Sequence, residues 1–395
     1  MFEINVCRVV DCPVEETFRF LCDLENDPQW WIGVREVRRT SAVQYAAGAT
    51  YWQRNVLFGL SFDMTIEVTQ LDWCERMEFR STSTTLAPFV CTYLFEPQGA
   101  QTKVTMLGRS EANGFAYRLL GPLFRSGLRQ TAESNFDRLQ RVLAGRGRRI
   151  SDLSRISAAL TNASALITRC PPEAADITID RLLREMLPRG DEGWLSEETP
   201  DDGERLGRDR VWIVDPLDGT REFRMGLPEW SISIALVEGG RPVAAGVCNP
   251  AACETIVGAL GHGVTRNGKP ASVSTRATLA GATILASRSE VSRGIWEPYA
   301  HAPYSIRPLG SVAYKLALVA AGAADATWTT VPKHEWDVAA GVGLVLAAGG
   351  RIVAGSPAEE RFNRRDPKLT RLIAAPPQLM AEITREVGVA SGKST

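Results

Sequence analysis

The pattern of hydrophobic and polar positions divides the chain into two regions of different texture. Up to about residue 145, short alternating runs such as FDMTIEVTQL and TKVTMLGRS, separated by turn residues, predict antiparallel strands. Apolar residues at helical spacing predict one helix over 13–24 before most of these strands and another over 123–145 after them. A long helix packed on a curved antiparallel sheet would enclose an apolar interior.

From residue 151 onward, helical and strand patterns are mixed along the chain. This mixture indicates a layered domain of helices and sheets. The basic stretch AGRGRRISD lies between the two regions, and we expect a linker over 146–155 that leads into the first helix of the second region. The predicted helices cover 151–170, 177–187, 313–325 and 337–350, and the predicted strands cover 211–214, 231–240 and 241–250.

Composition narrows the classes of function. A length of 395 residues favours two domains. With 45 basic and 46 acidic residues, the chain gives no electrostatic reason to expect nucleic acid or an acidic membrane surface as a partner. There is no apolar run of about 18 residues that would predict a membrane span, and no signal-peptide pattern. The eight cysteines form no CxxC pair, so we expect a cytoplasmic protein with reduced thiols.

The segment VWIVDPLDGTREF, residues 211–223, carries the clearest chemical signal. Its apolar strand should deliver Asp215 to the end of a sheet, and Pro216 should fix the next turn so that Asp218 projects beside Asp215. Gly219 and Thr220 can then open a short helix whose free N–H groups would form an anion site. Two carboxylates beside an anion-binding turn suit a phosphate bridged by metal ions.

Further acidic residues are candidates for the same site. Glu197 follows a short apolar stretch, Asp176 precedes a predicted helix, and Asp337 lies in the first turn of another. Two carboxylates 4 Å apart repel by roughly 4 kcal/mol at an effective dielectric constant near 20, so a cluster of them implies bound cations. The candidate ligands are oxygen atoms and the three histidines are dispersed, which favours Mg²⁺ over zinc.

In this order and spacing, WIVDPLDGTREF, SEE and EWDVAAG resemble the inositol monophosphatase superfamily of Mg²⁺-dependent, Li⁺-inhibited phosphatases, over about residues 151–385. The resemblance implies an αβαβα layered sandwich with two or three Mg²⁺ ions. It implies one metal on Glu197, Asp215 and the Leu217 carbonyl and a second on Asp215, Asp218 and Asp337. It further implies phosphate contacts from Gly219 and Thr220. The catalytic residues implied by the resemblance are Asp176, Glu197 and Thr220, with Asp176 helping to bind a third metal or, with Thr220, orienting the attacking water.

Local details resemble the 3′(2′),5′-bisphosphate nucleotidase branch of this superfamily. DGTREF places the basic Arg221 after the turn, and GSVAYK supplies Ser311 and Lys315 as further candidates for substrate binding. Thr330 stands where inositol phosphatases have an acid that grips sugar hydroxyls. The favoured substrate is therefore a 3′-phosphoadenosine 5′-phosphate-like molecule. The alternatives are an inositol-1-phosphate, histidinol-phosphate or sugar phosphatase, and a ligand-binding sensor with a degenerate phosphatase domain, since the connection before Asp176 is short.

The first region resembles the START-like, or SRPBCC, superfamily, which includes polyketide cyclase-like domains. The resemblance is carried by CPVEETFRFLCDLENDPQWW, GATYW and TYLFEPQGAQTKVTM and covers about residues 2–145. It implies an α+β helix-grip fold, and we expect an apolar ligand in its interior. The expected domains are thus 1–145 and 151–388. The resemblance of the second region makes a homodimer an expectation as well.

Overall fold

The computed structural model describes residues 2–57, 60–83, 88–110 and 115–388. The chain forms two compact units, Met1–Arg148 and Arg149–Thr395. They are called the first unit and the second unit.

The first unit is built on an antiparallel sheet, whose seven strands in the described part of the chain follow the order β1-β7-β6-β5-β4-β3-β2. Helix α1 and the middle of the long helix α2 contribute Phe18, Leu21, Phe136 and Leu139 to the same buried core as the sheet. This arrangement confirms the predicted helix-grip architecture. The elements are β1 Phe2–Val10, α1 Val14–Cys22, a 3₁₀ helix Leu24–Gln29, β2 Val34–Arg39, β3 Thr50–Leu57, β4 Leu60–Asp72, β5 Arg76–Thr82, β6 Phe89–Gln98, β7 Gln101–Ser110 and α2 Phe115–Ile167.

Strand β3 shows how the sheet is oriented. Tyr51, Gln53 and Asn55 are buried, whereas Trp52 and Arg54 between them are not. Successive side chains of a strand point to opposite faces, so the buried set shares the inner face. Two of its three members are amides, which is unusual for a face that packs on a core.

The stretch 146–155, which we expected to be a linker, lies inside α2. The prediction ended the helix at residue 145, but a glycine in a helix costs only about 1 kcal/mol relative to alanine, and arginine is a good helix former. A tertiary contact explains Gly147, since a Cβ there would lie 2.1 Å from the Asp11 carbonyl oxygen. Asp152, which also lies on α2, is buried and accepts a hydrogen bond from Arg210 at 2.7 Å.

The second unit contains two larger sheets. One has the order β14-β13-β12-β11-β10-β9-β8, with β8 parallel to β9 and the other neighbours antiparallel. The other has the order β16-β15-β17-β21-β19 and contains both parallel and antiparallel pairs. The strands are β8 Gly193–Ser196, β9 Arg210–Asp218, β10 Ser231–Glu238, β11 Arg241–Asn249, β12 Glu254–Ala259, β13 Gly263–Arg266, β14 Lys269–Ala271, β15 Thr283–Ser287, β16 Ser305–Leu309, β17 Ala326–Thr329, β18 Lys333–His334, β19 Arg351–Ala354, β20 Lys368–Leu369 and β21 Leu372–Ala375.

Helices separate and cover these sheets. The end of α2 and helix α3 pack on one face of the seven-stranded sheet of the second unit. Helices α6 and α7 share a core with this sheet and with the five-stranded sheet, and α8 packs on the far face of the five-stranded sheet. The layers therefore follow the αβαβα order that the resemblance implied. The helices are α3 Ala175–Met186, α4 Thr220–Arg224, α5 Arg288–Ser292, α6 Val312–Ala320, α7 Glu335–Ala347 and α8 Pro377–Glu386, with 3₁₀ helices at Glu204–Gly207, Pro250–Ala252, Glu297–Tyr299 and Pro357–Glu360.

The contact between α6 and α7 depends on a glycine. A Cβ at Gly341 would lie 2.2 Å from the Cβ of Leu316, which belongs to α6. We predict that Gly341→Ala lowers the free energy of unfolding by about 1–3 kcal/mol, because the added methyl overpacks a filled core. Urea denaturation followed by circular dichroism measures the change.

Gly343→Ala is the matched control on the same helix. A Cβ at Gly343 would contact Ala245 and Pro242 at 3.1 Å, a distance that small shifts can relieve. The gain in helix propensity, up to about 1 kcal/mol, should offset that strain and leave stability nearly unchanged. Equal destabilisation by both variants would contradict the proposed overpacking at Gly341.

Candidate active site

A bulge in β9 brings two aspartates to one side of the strand. The sequence predicted that the strand ends at Val214, but β9 continues to Asp218. Asp215 is opposite Ser233 and Asp218 is opposite Ser231, so β9 uses one more residue than β10 over this interval. On a regular strand, the side chains of two residues three positions apart point to opposite faces of the sheet. The additional residue of the bulge shifts this alternation by one, so that two such residues on either side of it point to the same face. Asp215 and Asp218 can therefore share a site.

Asp218 is fixed by the beginning of α6. Its Oδ2 accepts hydrogen bonds from the Ser311 hydroxyl and the Ala313 N–H, each at 2.6 Å. Ser311 is the N-cap of α6, with its hydroxyl also accepting from the Tyr314 N–H, and it has a φ of 51°. A left-handed conformation at a serine is costly, so the surrounding contacts must enforce it.

The turn after Asp218 is closely packed. Gly219 has a φ of 95°, and a Cβ there would lie 2.9 Å from the Glu229 carbonyl oxygen. Both facts require glycine at this position. Thr220 begins α4, and its hydroxyl donates to the Leu217 carbonyl at 3.0 Å. The Leu217 N–H in turn donates to Asp215 Oδ1 at 3.0 Å, so the segment is held by its own side chains.

Two further carboxylates approach this turn from other elements. Glu197 directly follows β8, the parallel neighbour of β9. Asp337 lies in the first turn of α7, and its Oδ2 accepts from the His334 N–H at 2.9 Å in a capping box. Glu197 after β8 and Asp337 at the start of α7 thus each add one carboxylate to the pair on β9.

The pKa values show that these four carboxyls interact. Burial, and then the charges of Asp218, Glu197 and Asp337, raise the pKa of Asp215 well above its usual range. Burial, followed by neighbouring carboxylates, raises the pKa of Glu197 to about 7 and that of Asp337 to about 7. Burial also raises the pKa of Asp218, although its hydrogen bond from Ser311 and the nearby ammonium group of Lys315 act against it. Negative charge is therefore concentrated beyond what the protein itself compensates.

Asp176 and a residue that we did not predict, Asp180, lie on α3 near Glu197. Burial raises the pKa of Asp176, whose Oδ1 is buried with no hydrogen-bond partner in the part of the chain that the structure describes. Asp180 accepts from the hydroxyls of Ser196 at 2.5 Å and Thr199 at 2.7 Å, which flank Glu197 in the chain. The sequence could have indicated Asp180 as a site residue, because its spacing of four residues from Asp176 places both on the same face of the helix.

The three residues predicted to bind substrate differ in their surroundings. Arg221 is exposed on α4. Ser311 is buried and bonded to Asp218. Lys315 is also buried, and its Nζ donates to the carbonyls of Leu309, Gly310 and Ser311 at 2.8–3.4 Å. Burial lowers the pKa of Lys315 to about 8. Only Arg221 of these three is directed at solvent, and the other two support Asp218 in this structure.

The chemistry of these groups fits a hard divalent cation. The donors are carboxylate oxygens, and the buried Asp176 Oδ1 has no hydrogen-bond partner among the described residues. As the side chains lie, no group of three or more His, Cys, Asp or Glu residues in the described ranges is arranged to hold a metal ion. Oδ2 of Asp218 and Oδ2 of Asp337 are engaged by the protein, which leaves their other oxygens for an ion.

Comparisons with known proteins agree with this arrangement. The model for "Inositol monophosphatase family" matches residues 143–390, and that for "Polyketide cyclase / dehydrase and lipid transport" matches residues 1–144. An inositol-1-monophosphatase of Rhizobium meliloti is 37% identical over 193 residues, 45% of this chain and 69% of the relative. A 3′-phosphoadenosine 5′-phosphate phosphatase of Mycobacterium bovis is 38% identical over 211 residues, 51% of this chain and 76% of the relative.

A solved structure extends the comparison to the fold. An inositol monophosphatase from Anabaena (Nostoc) sp. superposes with a TM-score of 0.51 at 26% identity, over 60% of this chain and 94% of that chain. Fold and family model together define the second unit as a phosphoric monoester hydrolase. The chain belongs to the inositol monophosphatase family, whose members generally depend on Mg²⁺.

None of the helices in the described ranges combines the length and apolar character needed to cross a membrane. The homodimer and the cytoplasmic location expected from the sequence stay predictions.

The raised pKa of Asp337 predicts how stability depends on pH without metal. With a folded pKa of about 7 and an ordinary value of 3.8, the folded state keeps a proton that the unfolded chain has released. This stabilisation is complete below pH 4 and is lost as the pH rises through 7. With a chelator present, Asp337→Asn should therefore be more stable than the native protein at pH 8, by about 1–2 kcal/mol since Asp337 is partly solvated.

Denaturation of both proteins between pH 4 and pH 8 measures this difference. The advantage of Asp337→Asn should shrink toward zero near pH 4, and saturating Mg²⁺ should reverse the order at pH 8. A difference that does not change with pH would contradict the interaction inferred among the carboxylates.

Proposed function

We propose that the second unit hydrolyses a phosphate monoester of a 3′(2′),5′-bisphosphorylated nucleoside, with Mg²⁺ held by its carboxylate cluster. The observation that carries the proposal is the convergence of Asp215, Asp218, Asp337 and Glu197 beside the turn at Gly219. Asp215 and Asp218 are buried, and such a concentration of negative charge is tolerable when divalent cations neutralise it. A phosphate ester is the substrate class that such cations recruit.

The proposed ligand sets follow the family resemblance. Glu197, Asp215 and the Leu217 carbonyl would hold one ion, and Asp215, Asp218 and Asp337 a second. When bound, Mg²⁺ supplies an activated water and neutralises charge on the phosphate oxygens. Buried Lys315 and Ser311 keep Asp218 in position, which we take as their main contribution.

Other groups of the chain would bind and orient the reactants. The N–H groups of Gly219 and Thr220 would contact the phosphate. The Thr220 hydroxyl donates to Leu217, so its lone pairs can accept a hydrogen bond from the attacking water, with Asp176 as the second acceptor. Asp180 fixes the hydroxyls on either side of Glu197 and acts as a positioning residue.

The preference for a bisphosphorylated nucleoside is supported by Arg221. It is the exposed cation that directly follows the turn at Gly219 and Thr220. A second phosphate on the substrate would give this guanidinium a partner, which an inositol monophosphate does not offer. Relatives include both an inositol-1-monophosphatase and a 3′-phosphoadenosine 5′-phosphate phosphatase, so inositol phosphate, histidinol phosphate and sugar phosphates stay the alternatives.

A panel of phosphate esters tests the activity. With Mg²⁺, we expect phosphate release from 3′-phosphoadenosine 5′-phosphate with a kcat/KM at least tenfold above that for inositol-1-phosphate, histidinol phosphate or fructose-1,6-bisphosphate, and inhibition by Li⁺. Asp215→Asn should lower kcat at least a hundredfold, since both proposed metal positions use this carboxylate. The absence of release from every ester at saturating Mg²⁺ would favour the ligand-binding sensor instead.

The role of Arg221 has its own test. Arg221→Ala should raise KM for 3′-phosphoadenosine 5′-phosphate about tenfold, because an exposed charge-assisted contact to the second phosphate is lost. The KM of Arg221→Ala for adenosine 3′-phosphate, which keeps the phosphate to be hydrolysed but lacks the second one, should change less than twofold. Arg241→Ala is the matched control, because Arg241 is also exposed but begins β11 at the hairpin with β10. Equal effects of Arg221→Ala on both substrates would refute the assignment.

A further inference from the structure

A narrow pocket of the second unit brings together polar groups from three elements. Glu290 on α5 and Lys333 on β18 line it, together with Thr329 at the end of β17. Glu290 is 1% exposed, and it accepts hydrogen bonds from the Thr329 hydroxyl at 2.6 Å and from the Trp296 indole at 3.3 Å. The Lys333 ammonium lies 3.3 Å from Glu290 Oε1, so a buried carboxylate holds this cation in place.

Two chain connections place the pocket beside the carboxylate cluster. Val312, which also lines the pocket, directly follows Ser311, whose hydroxyl donates to Asp218. The residue that directly follows Lys333 donates its N–H to Asp337 at 2.9 Å. The pocket therefore adjoins the two acids that the end of β9 and the start of α7 contribute to the site.

The charges that act on the acids divide the site in the same way. Burial raises the pKa of Asp218 and that of Asp337, and the ammonium group of Lys333 is among the charges that act against this rise in both. After burial, the pKa of Glu197 is instead raised by neighbouring carboxylates, which include Asp176 on α3. Lys333 thus belongs to one side of the cluster and Asp176 to the other.

An in-line displacement at phosphorus gives these two sides different tasks. The attacking oxygen and the leaving oxygen lie on opposite sides of the phosphorus atom. With the water oriented by Thr220 and Asp176, as proposed above, the leaving oxygen lies on the side of Asp218 and Asp337. An ammonium group on that side can donate a hydrogen bond to the negative charge that develops on the leaving oxygen.

Two cations line the pocket, and Lys333 is the one with donors to spare. Lys315 is 4% exposed, and its Nζ donates to three backbone carbonyls. An ammonium group has three N–H donors, so those of Lys315 are used within the protein. The Lys333 side chain is 14% exposed, and among the described residues its ammonium forms an ion pair with Glu290 alone, so donors remain for a substrate.

We propose that Lys333 is a catalytic residue that donates a hydrogen bond to the leaving oxygen of the phosphate ester, and that Glu290 is the positioning residue that holds it there. The proposal rests on the hydrolysis proposed for the second unit. In that reaction the bond between phosphorus and the ester oxygen breaks, and its electron pair stays on the ester oxygen. Water gives its hydroxyl to phosphorus and, overall, its proton to the leaving oxygen, while Lys333 stays protonated.

Two esters with different leaving groups test this role. The alkoxide that leaves 3′-phosphoadenosine 5′-phosphate needs stabilisation, whereas the 4-nitrophenolate that leaves 4-nitrophenyl phosphate is a stable anion. With Mg²⁺, Lys333→Met should lower kcat at least tenfold on the nucleotide and less than threefold on the aryl ester. Lys333→Arg keeps a charged donor and should lose less than threefold on both.

Lys368→Met is the matched control and should keep native rates on both esters. Lys368 is exposed on β20 and lies opposite His334 in the pairing of β18 with β20. Equal losses of kcat on the two esters in Lys333→Met would overturn the proposal. If the native protein hydrolyses the nucleotide alone, Lys333→Met should increase the ¹⁸O isotope effect at the bridging oxygen, and an unchanged effect would overturn it. No phosphate release by the native protein from any ester would refute the proposed function and this role with it.

A double variant keeps the test valid if the single one does not fold. Lys333→Met leaves the buried Glu290 without its cation, which is destabilising. Adding Glu290→Gln removes that charge and keeps an acceptor for Thr329 and Trp296. The double variant should show the same loss on the nucleotide and the same small effect on the aryl ester.

The affinity for Mn²⁺ separates catalysis from support of the acids. Titration calorimetry should show that Lys333→Met binds Mn²⁺ at least as tightly as the native protein, since removal of a neighbouring positive charge favours a cation. A weaker affinity for Mn²⁺ would mean that Lys333 holds Asp337 in place and does not act on the leaving oxygen, which would overturn the proposal.

Discussion

The active site of the second unit is organised around repulsion among clustered carboxylates. A pair of such charges 4 Å apart costs roughly 4 kcal/mol at an effective dielectric constant near 20, and several pairs would rival the whole stability of a domain, about 5–15 kcal/mol. Burial and then the charges of neighbouring acids nevertheless raise the pKa values of Asp215, Glu197 and Asp337 around the end of β9. The local structure gathers this charge where a folding domain alone would disperse it, which is the signature of a functional site.

Each element near the site has a part in holding that charge. The bulge in β9 turns Asp215 and Asp218 to one side, and the strained Ser311 at the start of α6 binds Asp218. Lys315 remains a buried cation because three carbonyls accept from it. The protein thus neutralises part of the charge around Asp218 and leaves the remainder for ions and substrate. Rigid elements fix the acids in advance, so binding need not order them.

The sequence predicted the layered architecture and the acids of the site, because the motif residues lie at the ends of strongly patterned elements. It missed features that arise from distant contacts. The long α2 was divided because the basic stretch 146–155 was interpreted as a linker, whereas the helix continues through it and Gly147 leaves room for the Asp11 carbonyl. The continuation of β9 past Val214 was missed because charge and proline usually end strands. Asp180 was overlooked although its spacing from Asp176 places both on one face of α3, because its hydrogen bonds to Ser196 and Thr199 are visible only in the folded structure.

The proposed function requires that the carboxylates after β8, on β9 and at the start of α7 gather around divalent cations. Anomalous diffraction from crystals soaked with Mn²⁺, a close substitute for Mg²⁺ at oxygen sites, tests it most directly. The account predicts at least two anomalous peaks within coordination distance of the Asp215 carboxylate, with Asp218, Asp337 and Glu197 as further ligands. The absence of a peak at Asp215 in a protein that is saturated with Mn²⁺, or peaks only elsewhere, would contradict it.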